Sequence, residues 1–328
     1  MINTIKKYAT LNGISGHEEN VSEALINESN ADEILYDNLG SVALYFKGTN
    51  SKRKIAVIAH FDEVGMIVSD VTKNGMVKFK LVGGINIYGL TNQRVIINNQ
   101  YKGTILGTSP HLGNKELSAD DLVIDCGFIS KDEALNKIKI GQTINFDAPF
   151  INLENDFVCA KALDNRIGVS IVSMLNKFFK DNQPSDDIYL CASVQEEIGL
   201  RGANTLMGVL PSDLDEVIVV DVSPVDDYYD ENPINRLGDG FLLRIKDPRM
   251  VFNYELINKV EDICNNEGFK YQPYFSLGGT DAASVEIAGI GTKVMALCIG
   301  GRNIHSANSI VNINDVRELY KFLTFYLG

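Results

Sequence analysis

The chain has 328 residues, 45% hydrophobic and 22% charged, and a formal net charge of −13. Its length exceeds one comfortable core, so two domains are expected, in a composition typical of globular proteins. No apolar run is long enough to span a bilayer and no basic cluster is present to grip a phosphate backbone, so neither a membrane nor nucleic acid is an expected partner.

The N-terminus, Met1 to Gly13, carries Lys6 and Lys7 but no apolar core and no small-residue cleavage site. It does not read as a signal peptide, and a cytoplasmic protein is expected. Residues 1 to about 30 read as amphipathic helix around the turn Asn12-Gly13-Ile14-Ser15-Gly16, with Val21, Leu25 and Ile26 at helical spacing. Asp37-Asn38-Leu39-Gly40 is a turn before the strand-like Ser41 to Phe46. Ile55 to Ala59 is apolar without alternation, as a strand covered on both faces should be, and runs into His60, with Asp62 two residues on.

From about Met66 to Phe150 short β-rich runs alternate with turns: Met66 to Val71, Met76 to Leu81, Arg94 to Ile97, Gly103 to Leu106, Leu122 to Cys126 and Thr143 to Phe146. One helical piece, Lys131 to Ile138, interrupts them. This spacing predicts a small barrel or sandwich. The expected architecture is an α/β domain formed by residues 1–65 and 153–328, with an all-β insertion at 66–152.

After residue 155 the βα alternation resumes. Ile167, Ile171, Met174, Leu175 and Phe178 mark one helical face that ends before Pro184; Phe252, Leu256, Val260 and Ile263 mark another, with Gly268 as its stop. Ile188 to Val194 leads into Gln195-Glu196-Glu197, Val217 to Val220 into Asp221, and Thr292 to Ile299 shortly precedes His305. Asp226 to Asn232 reads most simply as a solvated acidic loop, although its position just after Asp221 could put it at the rim of a cleft. The five cysteines are scattered, with no CxxC pair, and read as buried free thiols.

Open α/β sheets place ligands outside the carboxyl ends of their strands, and His60, Asp164, Glu197, Asp221 and His305 fall at or near such ends. Two His, three carboxylates and a spare acid, Glu196, are the inventory of a two-metal hydrolase. A carboxylate at Asp62 could fix the tautomer of a metal-bound His60. Simpler readings compete at each position. Asp164, just before the best helix, could be an N-cap, and Glu196-Glu197 could be an ordinary solvated strand end. Gly278-Gly279-Thr280-Asp281-Ala282 could cap a helix or wall a substrate, which would put Gly279 and Thr280 beside it. His17 lacks the second His of an HExxH helix, and His111 lies in the insertion, so neither is expected to bind metal. There is no G-x-S-x-G elbow, P-loop or G-x-G-x-x-G fingerprint.

Six segments in order, Ala59-His60-Phe61-Asp62-Glu63-Val64-Gly65, Lys161 to Arg166, Gln195 to Ala203, Asp221-Val222-Ser223-Pro224, Gly278 to Ala282 and His305-Ser306, resemble the tetrahedral aminopeptidases. With the glutamyl and deblocking aminopeptidases these form a group of dinuclear zinc or cobalt metallopeptidases. The resemblance implies a mixed-sheet α/β metallopeptidase domain whose barrel-like insertion mediates dimerisation. It implies two divalent cations, Zn2+ or Co2+, with Asp164 bridging them, His60 and Asp221 completing one site and Glu197 and His305 the other. Glu196 would be the general base and Asp62 would orient His60. Expected partners are short peptides with a free N-terminus and further copies of the chain, assembled from dimers into as many as twelve subunits. The family's Pro-x-Arg-Tyr-x-His-Ser pattern is altered here: Gly300 and Asn303 replace Pro and Tyr while Arg302, His305 and Ser306 stay. Arg302 or Arg201 could reach a first-residue pocket. The family's Pro-Pro-His appears as Ser109-Pro110-His111. A deacylase or carboxypeptidase on the same metal core is the main rival. A non-catalytic metal-binding scaffold would be expected had Glu196 or a ligand been lost, and none is.

Overall fold

The computed structural model describes residues 1–107, 117–229 and 231–328; Ser109, Pro110, His111 and Asp230 lie outside the described residues. The centre of the larger sheet is four parallel strands in the spatial order Asp187–Ser193, Lys54–His60, Glu216–Pro224 and Val294–Arg302. Antiparallel strands extend it on both sides. Val42–Phe46 and Glu33–Tyr36 lie beyond the first, and Ser309–Asn312, Phe157–Ala160 and Ile151–Asn152 beyond the last. Phe241–Lys246 also pairs with Val294–Arg302 and carries Tyr271–Phe275 beside it. The sheet is therefore mixed, in an α/β domain.

The central strands are buried on both faces, which accounts for their unbroken apolar runs. Each fully buried Val, Ile or Leu contributes roughly 1.5–3 kcal/mol, and a slip of one residue would send His60 to the opposite face of the sheet. The observed register places Ser193 beside His60, Val219 beside Ile58 and Cys298 beside Asp221. The strands ending at Ser193 and His60 consequently stop level with Asp221, while the two strands Glu216–Pro224 and Val294–Arg302 run on beyond them.

The helix Leu163–Asp181 packs across the strands that carry His60 and Asp221. Gly168 makes this approach possible, because a Cβ there would stand 2.7 Å from Cβ of Ala59. The pattern Ile167, Ile171, Met174, Leu175, Phe178 predicts one buried face, yet the helix is buried nearly all round as far as Asn176. The helices Ile2–Thr10 and Ile313–Leu327 cover it, and its polar positions are satisfied locally. Ser170 donates to the Arg166 carbonyl (2.6 Å), and Asn176 donates to the Glu28 carbonyl (2.8 Å) and accepts from the Asn30 N–H (2.8 Å). The N-terminal helical region is two helices, Ile2–Thr10 and Glu19–Ile26, separated by the turn at Asn12 to Gly16. Tyr254–Glu267 stops at Gly268, whose φ of 78° is left-handed.

The second sheet is a closed antiparallel barrel of six strands, in the order Gly65–Val71, Val77–Val82, Leu122–Asp125, Tyr101–Gly107, Arg94–Ile97, Thr143–Phe146. Alternate residues such as Met66, Val68, Phe79, Val95 and Ile144 fill a core separate from that of the larger sheet. Closure reduces the strand edge left exposed. The helical piece is Lys131–Leu135, with Ser130 accepting from the Glu133 N–H. No helix among the described residues is long and apolar enough to cross a membrane.

Candidate metal centre

His60 is the last residue of its strand, and Asp221 lies in Glu216–Pro224, two residues past the pairing of Val219 with Ile58. Beyond Ser193 the chain leaves the sheet at Gln195, which is left-handed (φ 57°), and this swings Glu196 and Glu197 over the strand ends. His305 follows Val294–Arg302 in a short loop where Asn303 and His305 are themselves left-handed. Asp164 does not cap the helix it begins. Its φ/ψ of −85°/109° is non-helical, and the capping contact comes from Asn165, whose Oδ1 accepts from the Gly168 N–H (2.9 Å). Asn165 also donates to the Val220 carbonyl (2.8 Å), tying Asp164 to the strand that carries Asp221.

The five candidate ligands and Glu196 converge. His60 Nε2 stands 3.2 Å from Asp164 Oδ1, 3.5 Å from Asp221 Oδ1 and 4.0 Å from Glu196 Oε2. His305 Nε2 stands 3.3 Å from Asp164 Oδ2 and 3.2 Å from Glu197 Oε2. The two triads, His60–Asp164–Asp221 and Asp164–Glu197–His305, share Asp164, with a different oxygen turned to each imidazole. These spacings suit a divalent cation: two ligand atoms 2.0–2.1 Å from a tetrahedral zinc stand about 3.3 Å apart. Glu197 Oε1 is buried with no partner among the described residues, a costly arrangement for an isolated carboxylate and a natural one for a ligand.

Asp62, fully buried, is the hub behind this cluster. Its Oδ1 accepts from the Glu196 N–H (3.0 Å) and faces His60 Nδ1 (3.3 Å); its Oδ2 accepts from Ser15 Oγ (2.6 Å) and the Glu197 N–H (3.1 Å). One carboxylate thus accepts from the backbone amides of both acidic residues and faces one imidazole. The other imidazole is positioned by the barrel: His305 Nδ1 lies 3.1 Å from the carbonyl oxygen of Gly84, just after the strand Val77–Val82.

The protonation balance is that of acids crowded around too few cations. Burial pushes Glu197 up to about 8, reinforced by the charge of Asp164, and Glu196 well above the usual carboxylate range, reinforced by Asp221, Asp281 and Glu197. Asp164 is held low: burial opposes its charge, but hydrogen bonds from both His305 and His60 outweigh it. Burial also works against the imidazolium forms, yet the surrounding carboxylates hold His60 well above its ordinary value and His305 at about 9. Divalent cations would supply the positive charge that this cluster otherwise draws from protons.

The cluster opens into a cleft of about 350 Å³ whose far wall includes Arg244, Ser276, Gly278 and Gly279. Gly279 is therefore at the cleft. Thr280 is fully buried, its Oγ1 accepting from the Ala282 N–H, and Arg302 is held away by two bonds to Asp227 (2.5 and 2.8 Å); neither lines the cleft. Asp227 is thereby a buried ion-pair partner, not part of a solvated acidic loop. Sequence reasoning had no signal for Ser15, Gly84 or Arg244. Arg244 donates to the Gly278 carbonyl (2.9 Å) and to Ser223 Oγ (2.7 Å), joining the two sides of the cleft. Asp281, in the Gly-Gly-Thr-Asp-Ala segment, is buried and accepts from Ser193 Oγ (2.6 Å).

Residues 40–322 match the family model described as M42 glutamyl aminopeptidase. The chain is 32% identical over 303 residues to the glutamyl aminopeptidase of Lactococcus lactis subsp. cremoris, covering 88% of this chain and 84% of that protein. The TET aminopeptidase from the marine sediment archaeon Thaumarchaeota archaeon SCGC AB-539-E09 superposes with a TM-score of 0.92 at 30% identity, covering 99% of this chain and 96% of that one. The TET1 peptidase of Pyrococcus horikoshii, which can assemble into a tetrahedron or a large octahedral shell, superposes with a TM-score of 0.88 at 28% identity, covering 99% and 98%. A match along most of the length, joined to a convergent His and carboxylate cluster at the strand ends, leads to one assignment: the chain belongs to the M42 glutamyl aminopeptidase family.

Proposed function

We propose that this protein is a metal-dependent aminopeptidase that holds two divalent cations, Zn2+ or Co2+, and removes the first residue of short peptides with a free N-terminus. The observation that carries the reading is the division of Asp164, one oxygen turned to His60 and the other to His305. In this reading Asp164 is shared, His60 and Asp221 complete one site, and Glu197 and His305 complete the other. Two cations held there would lower the pKa of a water molecule and polarise the scissile carbonyl. Glu196 stands outside both triads that share Asp164, half-buried at their edge. It accepts the proton of the attacking water and returns it to the leaving amine. Asp62 keeps the proton of His60 on Nδ1, leaving Nε2 free as a ligand. A free α-amine could approach the cations and the neighbouring carboxylates, which would confine cleavage to the first residue; an acetylated one could not.

We assign residues 1–65 and 153–328 to catalysis and the barrel region, 66–152, to dimerisation. The protein is taken as a cytoplasmic homo-oligomer built from dimers and as large as a dodecamer. The shells formed by the Pyrococcus horikoshii TET1 peptidase support this assembly. The test of the chemistry is Glu196→Gln with metal analysis. The variant should retain two cations per subunit while kcat falls by roughly 10²- to 10⁴-fold. Full activity in the variant, or wild-type protein binding fewer than two cations, would overturn the proposal.

A further inference from the structure

A second concavity, of about 310 Å³, adjoins the catalytic cleft and shares Pro224 with it. The partition between them is firmly built. Tyr274, which lines the second concavity, donates its hydroxyl to the Pro224 carbonyl (2.7 Å), and its ring lies 5.9 Å from the Arg244 guanidinium. Arg244 in turn holds Gly278 on the catalytic side. Unlike the acidic cleft, the second concavity offers large apolar side chains to solvent: Ile234 is 94% exposed, Leu277 93% and Phe275 68%. Two carboxylates also line it: Asp227 is paired with Arg302, and Asp226 is exposed at the margin. Scattered exposed apolar residues need no explanation, but three converging on one hollow beside a peptidase cleft do.

We infer that this hollow is the seat for the residues downstream of the scissile bond, and that it selects peptides of at least three residues with apolar side chains after the first. The inference rests on the aminopeptidase reading above. The first residue, with its charged amine, occupies the carboxylate-lined cleft. The chain then passes Pro224, and the following side chains lie on Ile234, Phe275 and Leu277. An extended peptide advances about 3.3–3.6 Å per residue, so each residue after the first carries the chain that much further from the cluster towards the hollow.

The experiment compares kcat and KM for a leucyl anilide, Leu-Gly-Gly, Leu-Leu-Leu and Leu-Asp-Asp, using the metal-loaded wild type and the variants Ile234→Asp and Leu277→Asp. In the wild type, Leu-Leu-Leu should show a KM roughly five- to tenfold below that of Leu-Gly-Gly, the scale expected when an aliphatic side chain is about half buried in an open hollow. Each variant should lose that advantage through KM, with kcat and the anilide kinetics unchanged. Equal KM values across the wild-type panel, or variants that alter the anilide as much as Leu-Leu-Leu, would overturn the inference and leave the aminopeptidase reading standing. Failure of the wild type to release leucine from any of them would instead remove that reading. Sedimentation velocity on both variants completes the test: a smaller assembly would make the hollow a contact between subunits and overturn the inference.

Discussion

Asp62→Asn tests how one buried carboxylate organises the centre. Asparagine keeps one oxygen and replaces the other with an NH2 group. With its oxygen in the Oδ2 position it would still accept from Ser15 and the Glu197 N–H, but its NH2 would face the Glu196 N–H and donate to His60 Nδ1. That would force the proton of His60 onto Nε2, the nitrogen turned to Asp164 and Asp221. With its oxygen in the Oδ1 position the His60 tautomer survives, Ser15 rotates to accept, and only the Glu197 N–H is left unpaired. This second arrangement costs about 1–3 kcal/mol, the penalty for one buried unsatisfied donor. Losing the carboxylate behind a ligating imidazole typically costs 10–100-fold in metal affinity or activity. Urea unfolding of the metal-free protein, zinc titration and kcat/KM on a free tripeptide would measure the two effects separately. The variant should stay folded, lose about 1–3 kcal/mol and fall at least tenfold in zinc affinity or kcat/KM. Zinc affinity and kcat/KM both within twofold of wild type would refute the need for a carboxylate behind His60.

Glu63, 1% exposed, accepts from Lys161 (2.7 Å), the Gly13 N–H, Asn145 and Arg166, so it joins the N-terminal turn, the barrel and the catalytic sheet. Glu63→Gln leaves two buried cations without their anion and should cost about 3–5 kcal/mol in urea unfolding, part of which Glu63→Gln with Lys161→Met should recover; a loss below about 1 kcal/mol would contradict the network's importance. Glu18 accepts from the Gly16 and Gln195 N–H groups, and burial pushes it up from 4.5 to about 7. Below pH 4.5 it is protonated whether folded or unfolded. As pH rises towards 7 the unfolded chain ionises first, so stability is lost across that window. Glu18→Gln should therefore gain up to about 3 kcal/mol relative to wild type between pH 4.5 and 8, and parallel stability–pH curves would exclude the effect. Arg244→Met removes the link from Ser223 to Gly278 and should raise KM for all peptides by roughly tenfold with metal content unchanged; an unchanged KM would show that the cleft wall stands without it.

The strand-then-acid segments carried most of the site, because a buried parallel strand must be apolar along its length and its polar end then stands out. The same reasoning failed where contacts join distant parts of the chain. Nothing near Asp62 in sequence reveals that it binds Ser15 and the amides of Glu196 and Glu197. The barrel reads as a separate insertion, yet Gly84 within it meets His305, 221 residues away. Arg302 stands in a motif beside His305, but strand alternation turns it to Asp227 instead of the cleft. The N-cap reading of Asp164 was reasonable from composition and fails because Asn165 takes that role. Strands such as Ile151–Asn152 and Ser309–Asn312 are too short to leave a periodic signal.

Hydrolysis of one peptide panel, free and N-acetylated, by protein reloaded with zinc or cobalt and by its EDTA-stripped form, tests the central claim most directly. Release of first residues from the free peptides alone, abolished by stripping and restored by metal, is the predicted result. Removal of acetyl groups, or no cleavage by protein holding two cations per subunit, would contradict it.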